Sequence, residues 1–166
     1  KTYRKIRNEL TYNETDVEIL AQGFSGSRRR MHRRFKEADS AILLGGGMYW
    51  EGVDFADQPV EILVMTRLPF ASPGTPEGKA IEHYYDSIGK NAFKEEYLPQ
   101  MLIRLKQGIG RIARNESEAG VLICLDTRIL NSSYAKVIKQ ALPVDVIINK
   151  QPMDKIFEIL NDNKSQ

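Results

Sequence analysis

Gln107-Gly108-Ile109-Gly110-Arg111-Ile112-Ala113-Arg114 sets a glutamine and two arginines at positions i, i+4 and i+7. At helical spacing these three side chains stack along one face, and Gln100 and Arg104 continue the stripe. A guanidinium stays charged and forks onto two oxygens at once, so two arginines one turn apart beside an amide suit a triphosphate. The glycines are poor helix formers, and without a Cβ they let a backbone or a phosphate come close. A solvated basic helix face accounts for Arg-x-x-Arg, but not for the glycines.

A second segment, Gly45-Gly46-Gly47-Met48-Tyr49-Trp50-Glu51-Gly52-Val53-Asp54-Phe55, follows an apolar run. Glycine-rich backbone after a strand exposes N–H groups that bind anions. It is not the dinucleotide fingerprint, because Trp50 stands where the third glycine belongs, and no Gly-Lys-Ser/Thr P-loop occurs in the chain. Glu51 and Asp54 have the chemistry of an acid–base pair. They suit better one carboxylate on a sugar hydroxyl and the other holding the loop in shape. Trp50 offers a ring to stack on a base, or simply fills a core. A third segment, Arg28-Arg29-Arg30-Met31-His32-Arg33-Arg34-Phe35-Lys36, clusters charge as phosphate-backbone binding requires, or as a solvated helix face does.

The elements that must hold these residues alternate. Strand patterns fall at Val17–Ala21, Ala41–Leu44, Val60–Met65, Gly120–Leu125 and Val144–Ile148. Helical patterns fall at Ser27–Ala38, with Ser27 as N-cap and Met31 and Phe35 inward, then at 77–88, 93–113, 131–141 and 153–162. Alternation of this kind predicts an α/β domain with a largely parallel sheet, and function at the C-terminal ends of its strands. The glycine loop, the proline-rich loop Leu68–Pro76 and Asp126-Thr127-Arg128 all lie at such ends. The 166 residues suit a single domain over 1–166, with 74–99 as a loop and helical excursion within it.

Net charge is only +2, but its distribution is uneven. Residues 1–36 carry ten Lys/Arg against four Asp/Glu, a net of +6, and the remainder carries fourteen against eighteen, a net of −4. The basic end therefore carries a local positive field. Cys124 is the single cysteine, read as a small residue of a buried strand. One cysteine and two distant histidines, His32 and His83, give neither a disulfide framework nor a zinc or iron–sulfur site of the usual kind, so no metal is expected. No membrane-span pattern or signal peptide is legible, which fits a reducing, cytoplasmic setting, nucleoid-associated in a bacterium. The chain opens in a helix-like pattern without Met, and is read as a fragment of something longer.

With both glycine-bearing segments in view, the chain resembles the C-terminal motor half of a superfamily 2 DNA helicase of the DinG branch, among the XPD-like helicases. Trp50-Glu51-Gly52-Val53-Asp54-Phe55 is similar to that family's motif V, and Gln107 to Arg114 to its motif VI. Leu68-Pro69-Phe70, Leu98-Pro99-Gln100 and Asp126-x-Arg128 are similar to its connecting segments, over about Gln22 to Pro143. The resemblance implies a RecA-like, three-layer α/β domain of P-loop-NTPase type without a P-loop of its own. It implies ATP-driven, 5′-to-3′ movement on single-stranded DNA. Arg111 and Arg114 would be the catalytic arginines at the γ-phosphate, with Gln107 beside the nucleotide. Gly52 would give a backbone N–H near the phosphates, Asp54 would bind the ribose, and Glu51 in the same loop is a further nucleotide-binding candidate. Trp50, Arg29, Arg30, Arg33 and Arg128 are the nucleic-acid candidates.

ATP and Mg²⁺ would be held mainly by a first motor domain of the same parent chain, where the family places the P-loop and the acidic box; the strand of motif IV is expected upstream of residue 1. The expected partners are that domain and single-stranded DNA, with no membrane. Gly46 stands where many superfamily 2 helicases have a phosphate-binding threonine, and Met48-Tyr49-Trp50 where this family often has Ser-Phe-Trp. Two rivals remain. One is a Rossmann-type nucleotide enzyme, and the other a stand-alone α/β nucleic-acid-binding module without ATPase ancestry.

Overall fold

Parallel strands cannot be joined by a tight turn, and each parallel pair here is bridged by helix, as the alternation predicts. The computed structural model describes residues 2–12, 16–46, 60–110, 112 and 121–142. The chain divides into two units, Lys1–Gln58 and Pro59–Gln166.

The first unit runs α1 (Thr2–Tyr12), β1 (Glu18–Ala21), α2 (Arg28–Glu37) and β2 (Ala41–Leu44). β1 and β2 pair in parallel, from Glu18 opposite Ala41 to Ala21 opposite Leu44, with α2 as the crossover. Ser27 caps α2 as expected, its Oγ accepting the Arg30 N–H at 3.3 Å. Met31 is fully buried beside Leu20 and Ala21, while Phe35 is half-buried. Arg34, in the last turn, favours the helix dipole and donates from Nε to Glu18 Oε1 on β1 at 2.8 Å. Tyr3 of α1 stacks on Phe24, with centroids 5.2 Å apart.

The second unit runs β3 (Ile62–Met65), α3 (Pro76–Ser87), a π-helical turn (Phe93–Tyr97), α4 (Leu98–Ile109), β4 (Val121–Cys124), α5 (Arg128–Asn131) and α6 (Ala135–Ala141). β3 and β4 pair in parallel, Ile62 opposite Val121 and Met65 opposite Cys124. Thr75-Pro76-Glu77 starts α3 by the ordinary rules. Thr75 Oγ1 accepts the Gly78 N–H at 3.1 Å, Pro76 sits in the first turn and Glu77 meets the positive end of the dipole. Gly89, at φ +68°, ends it: its N–H reaches Asp86 O and the Lys90 N–H reaches Tyr85 O, a Schellman closure that needs a left-handed residue. Met101, Leu105, Gly108 and Ile109 form the buried face of α4, with Ile112 buried just beyond it and Ile129, Ala135 and Ile138 from α5 and α6 in the same core.

The expected helix over 93–113 begins instead as a π turn, which carries an extra residue and so resets the helical phase. Its α part ends at Ile109 with Gly110 as C-cap, consistent with the low helix propensity of Gly108 and Gly110. The expected helix over 131–141 is two helices, because Ser132 takes an extended conformation and Tyr134 turns toward an aromatic cluster. Cys124 is half-buried rather than buried, since β4 has one paired neighbour among the described residues. Burial still raises its thiol pKa. His83 is exposed and His32 half-buried. The strand expected at Val144–Ile148 and the helix at 153–162 lie outside the described residues.

Candidate functional site

Gln107 is where the sequence spacing puts it, exposed on α4 opposite the buried Met101–Leu105–Gly108 face. Gln100 is exposed and Arg104 half-exposed on the same stripe. Arg111 and Arg114 lie outside the described residues, as do Trp50, Glu51, Gly52 and Asp54 of the glycine loop. The start of that loop is described. The Gln22 side chain, at the end of β1, accepts the Gly46 N–H at 2.9 Å, and the Gln22 N–H donates to Leu44 O at 2.9 Å. Gln22 thus fixes the backbone where β2 leaves the sheet. In the sequence Gln22 marks only the edge of a resemblance, because nothing local distinguishes it from a surface glutamine.

The C-terminal ends of β3 and β4 form a cleft of about 340 Å³ lined by Thr66, Arg67, Leu125, Asp126, Thr127 and Arg128. Asp126 is its one buried residue. Its Oδ2 accepts the Leu68 N–H at 2.9 Å, its Oδ1 the Arg128 N–H at 3.1 Å, and the two oxygens together take the Arg128 Nε and Nη2 at 2.6–3.1 Å. The Arg128 guanidinium, first of all, holds the Asp126 carboxyl well below the usual carboxylate range against the opposing effect of burial, with the two backbone N–H donors adding to it. Arg128 is shifted upward by the same pairing. Because the folded value lies below the ordinary 3.8, this pair contributes its stability above that pH and loses it as pH falls through the folded value. The Arg128 guanidinium also lies 5.4 Å from the Phe70 ring centroid, within cation–π range. Arg128, singled out from sequence as a nucleic-acid candidate, is therefore forked onto a carboxylate and laid on an aromatic face. Asp126 and Phe70 were visible from sequence only as parts of Asp126-x-Arg128 and Leu68-Pro69-Phe70; what joins them is three-dimensional.

On α2, Arg28, Arg29, Arg30 and Arg33 are exposed. Arg33 makes a long i,i+4 pair with Glu37 at 3.9 Å. A surface pair of that length contributes little. Arg34, held by Glu18, belongs to the fold rather than to the exposed face. If the exposed arginines meet nucleic-acid phosphates, replacing Arg29, Arg30 and Arg33 by Gln weakens binding to all sequences alike. It also flattens the log–log salt slope by roughly 0.7 for each single-strand phosphate no longer neutralised. Melting should not move, because buried Met31 is untouched. An unchanged slope makes the helix a solvated face.

Among the described residues no group of His, Cys, Asp or Glu is placed to hold a metal ion, and no helix is long and apolar enough to cross a membrane. The chain belongs to the helicase C-terminal domain family, which matches residues 1–145. The parallel α/β units agree with the RecA-like class of that family. The chain is 37% identical over 143 residues to a 3′-5′ exonuclease DinG of Bacillus subtilis (strain 168), covering 84% of this chain and 15% of that protein. It is 33% identical over 135 residues to a 3′-5′ exonuclease DinG of Staphylococcus aureus (strain USA300), covering 81% and 14%. It is 34% identical over 127 residues to the ATP-dependent DNA helicase YoaA of Escherichia coli (strain K12), covering 76% and 20%. The chain thus spans a fifth or less of the length of these relatives.

Proposed function

We propose that this chain is the second motor domain of an ATP-dependent DNA helicase, and that it completes an ATP site whose other half is a first motor domain. The observation that carries this reading is the Gln107–Arg114 motif on a chain of the helicase C-terminal domain family, with Gln107 exposed at the end of α4 while the opposite face is buried. That arrangement lets the motif meet a partner domain without disturbing the core.

In this reading Arg111 and Arg114 bring forked N–H donors to the γ-phosphate oxygens, where negative charge spreads in the transition state. Gln107 orients the nucleotide through its amide. Gly52 gives a backbone N–H to the phosphates, Asp54 accepts a ribose hydroxyl, and Glu51 holds the loop. Mg²⁺ and the β- and γ-phosphates belong to the first domain's P-loop and acidic residues, a pattern the 166 residues do not contain. Single-stranded DNA is the track, with Trp50 as a stacking ring.

Residues 1–166 alone are therefore expected to hydrolyse no ATP above background, with or without single-stranded DNA, because without a P-loop lysine the β- and γ-phosphates are not held for the arginines to act on. Joined to a first motor domain bearing a P-loop, they should support DNA-stimulated turnover. Turnover by the isolated chain that Arg114→Ala abolishes would place the whole nucleotide site here and end the half-site reading. The second reading, a nucleic-acid-binding module without ATPase ancestry, draws on the exposed arginines of α2. It predicts the same single-strand affinity with and without the first domain and no response to ATP.

A further inference from the structure

We propose that Asp126 and Arg128 are positioning residues for α4: with Phe70 they tie the exit of β3 and the exit of β4 to the root of the helix that presents Gln107. The inference rests on the half-site reading and deepens it by naming what aims that helix.

Asp126 lies just beyond the end of β4, after Leu125, and Leu68 just beyond the end of β3, 58 residues away along the chain. One buried carboxylate accepts from both exits, the Leu68 N–H and the Arg128 N–H, and takes the Arg128 fork besides. Buried carboxylates so fully satisfied resist displacement, because each lost donor leaves a desolvated oxygen. The arginine so held lies on Phe70. Phe70 stacks on Phe93 at 5.7 Å and meets Tyr134 edge-on at 5.7 Å, and Phe93 lies 5.1 Å from Tyr134. Phe93 opens the π turn, whose last residue, Tyr97, donates its hydroxyl to Gly78 O at 3.0 Å before α4 begins. The extra residue of the π turn is what lets Phe93 enter the aromatic cluster while Tyr97 enters the core and Gln107 stays outward.

The leverage follows from helix geometry. Phe93 and Gln107 are fourteen residues apart, a rise of about 20 Å at helical spacing. A tilt of about 3° at the root then moves Gln107 by about 1 Å, and misplacement on that scale costs about 10²-fold in a preorganised site. A cation–aromatic knot at the root therefore controls alignment at the tip without touching the nucleotide.

The test uses the chain joined to its first motor domain, with Arg128→Ala, Phe70→Leu, the double variant and Arg128→Lys. Each single variant is expected to lower kcat roughly 10- to 100-fold with little change in KM for ATP. The double variant should be no slower than the slower single, since both break one device. Arg128→Lys should not rescue, because an ammonium cannot fork onto Asp126. The salt slope for single-stranded DNA should stay at the wild-type value. Wild-type kcat in Arg128→Ala, additive losses, or a slope reduced by about 0.7 with kcat preserved overturns the proposal, the last by making Arg128 a phosphate ligand. Should Arg128→Ala not fold, hydrogen exchange on Phe70→Leu decides. Faster exchange in the first turn of α4 with β1 and β2 unchanged supports the knot, and unchanged protection of α4 overturns it. Arg114→Ala is run beside these. Normal turnover there sinks the half-site reading, whereas lost turnover there with normal turnover in Arg128→Ala sinks the positioning role alone.

Discussion

Replacing Arg114 by Ala in the chain joined to a first motor domain is expected to lower ATP turnover by about 10³-fold or more, the scale of a missing arginine finger. Arg111→Ala should fall in the same range, because two forks on one triphosphate act as a unit rather than as a sum. The effect belongs to the transition state, so it should appear in kcat more than in KM. Arg→Lys at either position should rescue poorly. The point charge survives, but the planar pair of donors is lost. Gln107 shows why stability should be spared: it is exposed, while the neighbours that hold α4 in place, Leu105, Gly108 and Ile109, are buried. Melting curves of the arginine variants should overlay the parent. Near-normal turnover in either alanine variant removes that arginine from the chemistry.

Gly78→Ala should give the largest loss of stability from a single methyl group. A Cβ there would lie 2.6 Å from Ser72 O, 2.7 Å from Pro73 O and 2.8 Å from Pro73 C. All three are backbone atoms of the proline-rich loop, so no flexible side chain can swing aside. The Gly78 carbonyl also accepts the buried Tyr97 hydroxyl, and its N–H is the one capped by Thr75. Displacing the helix start therefore strains the cap and the tyrosine bond together. Overpacking of this kind costs about 1–3 kcal/mol, and the weakened hydrogen bonds add about 1 kcal/mol more. Ala is the better helix former, by about 1 kcal/mol, which offsets part of the loss. The net expectation is a destabilisation of about 2 kcal/mol in urea titration. Gly74→Ala is the control, since its Cβ would meet only Ser72 Oγ, at 3.9 Å. Equal midpoints for the two variants would show that the loop is not seated on α3.

Much of the local structure was legible from residue types alone. Ser27 before an arginine-rich helix and the four of the five apolar runs that lie among the described residues announce themselves because capping and strand propensity are short-range effects. The helical spacing of Gln100, Arg104 and Gln107 likewise put Gln107 on the polar stripe of α4, where it is exposed. The two glycine-bearing motifs carried the family, since their residue types and order are properties of the chain itself.

What the sequence could not decide was phase and partnership. Nothing in Phe93-Lys94-Glu95-Glu96-Tyr97 marks a π turn; the extra residue is stabilised by where Phe93 and Tyr97 must go, into Phe70 and Tyr134 on one side and Gly78 on the other. The same reason splits the helix expected over 131–141 at Ser132–Tyr134. Asp126 and Leu68 lie too far apart along the chain for any local rule to join them, and nothing in the sequence showed that Arg128, read there as a nucleic-acid candidate, has a buried carboxylate and a phenyl ring set against it. Short-range chemistry is written in neighbouring residues, whereas a carboxylate that locks two strand exits together exists only once β3 and β4 lie side by side.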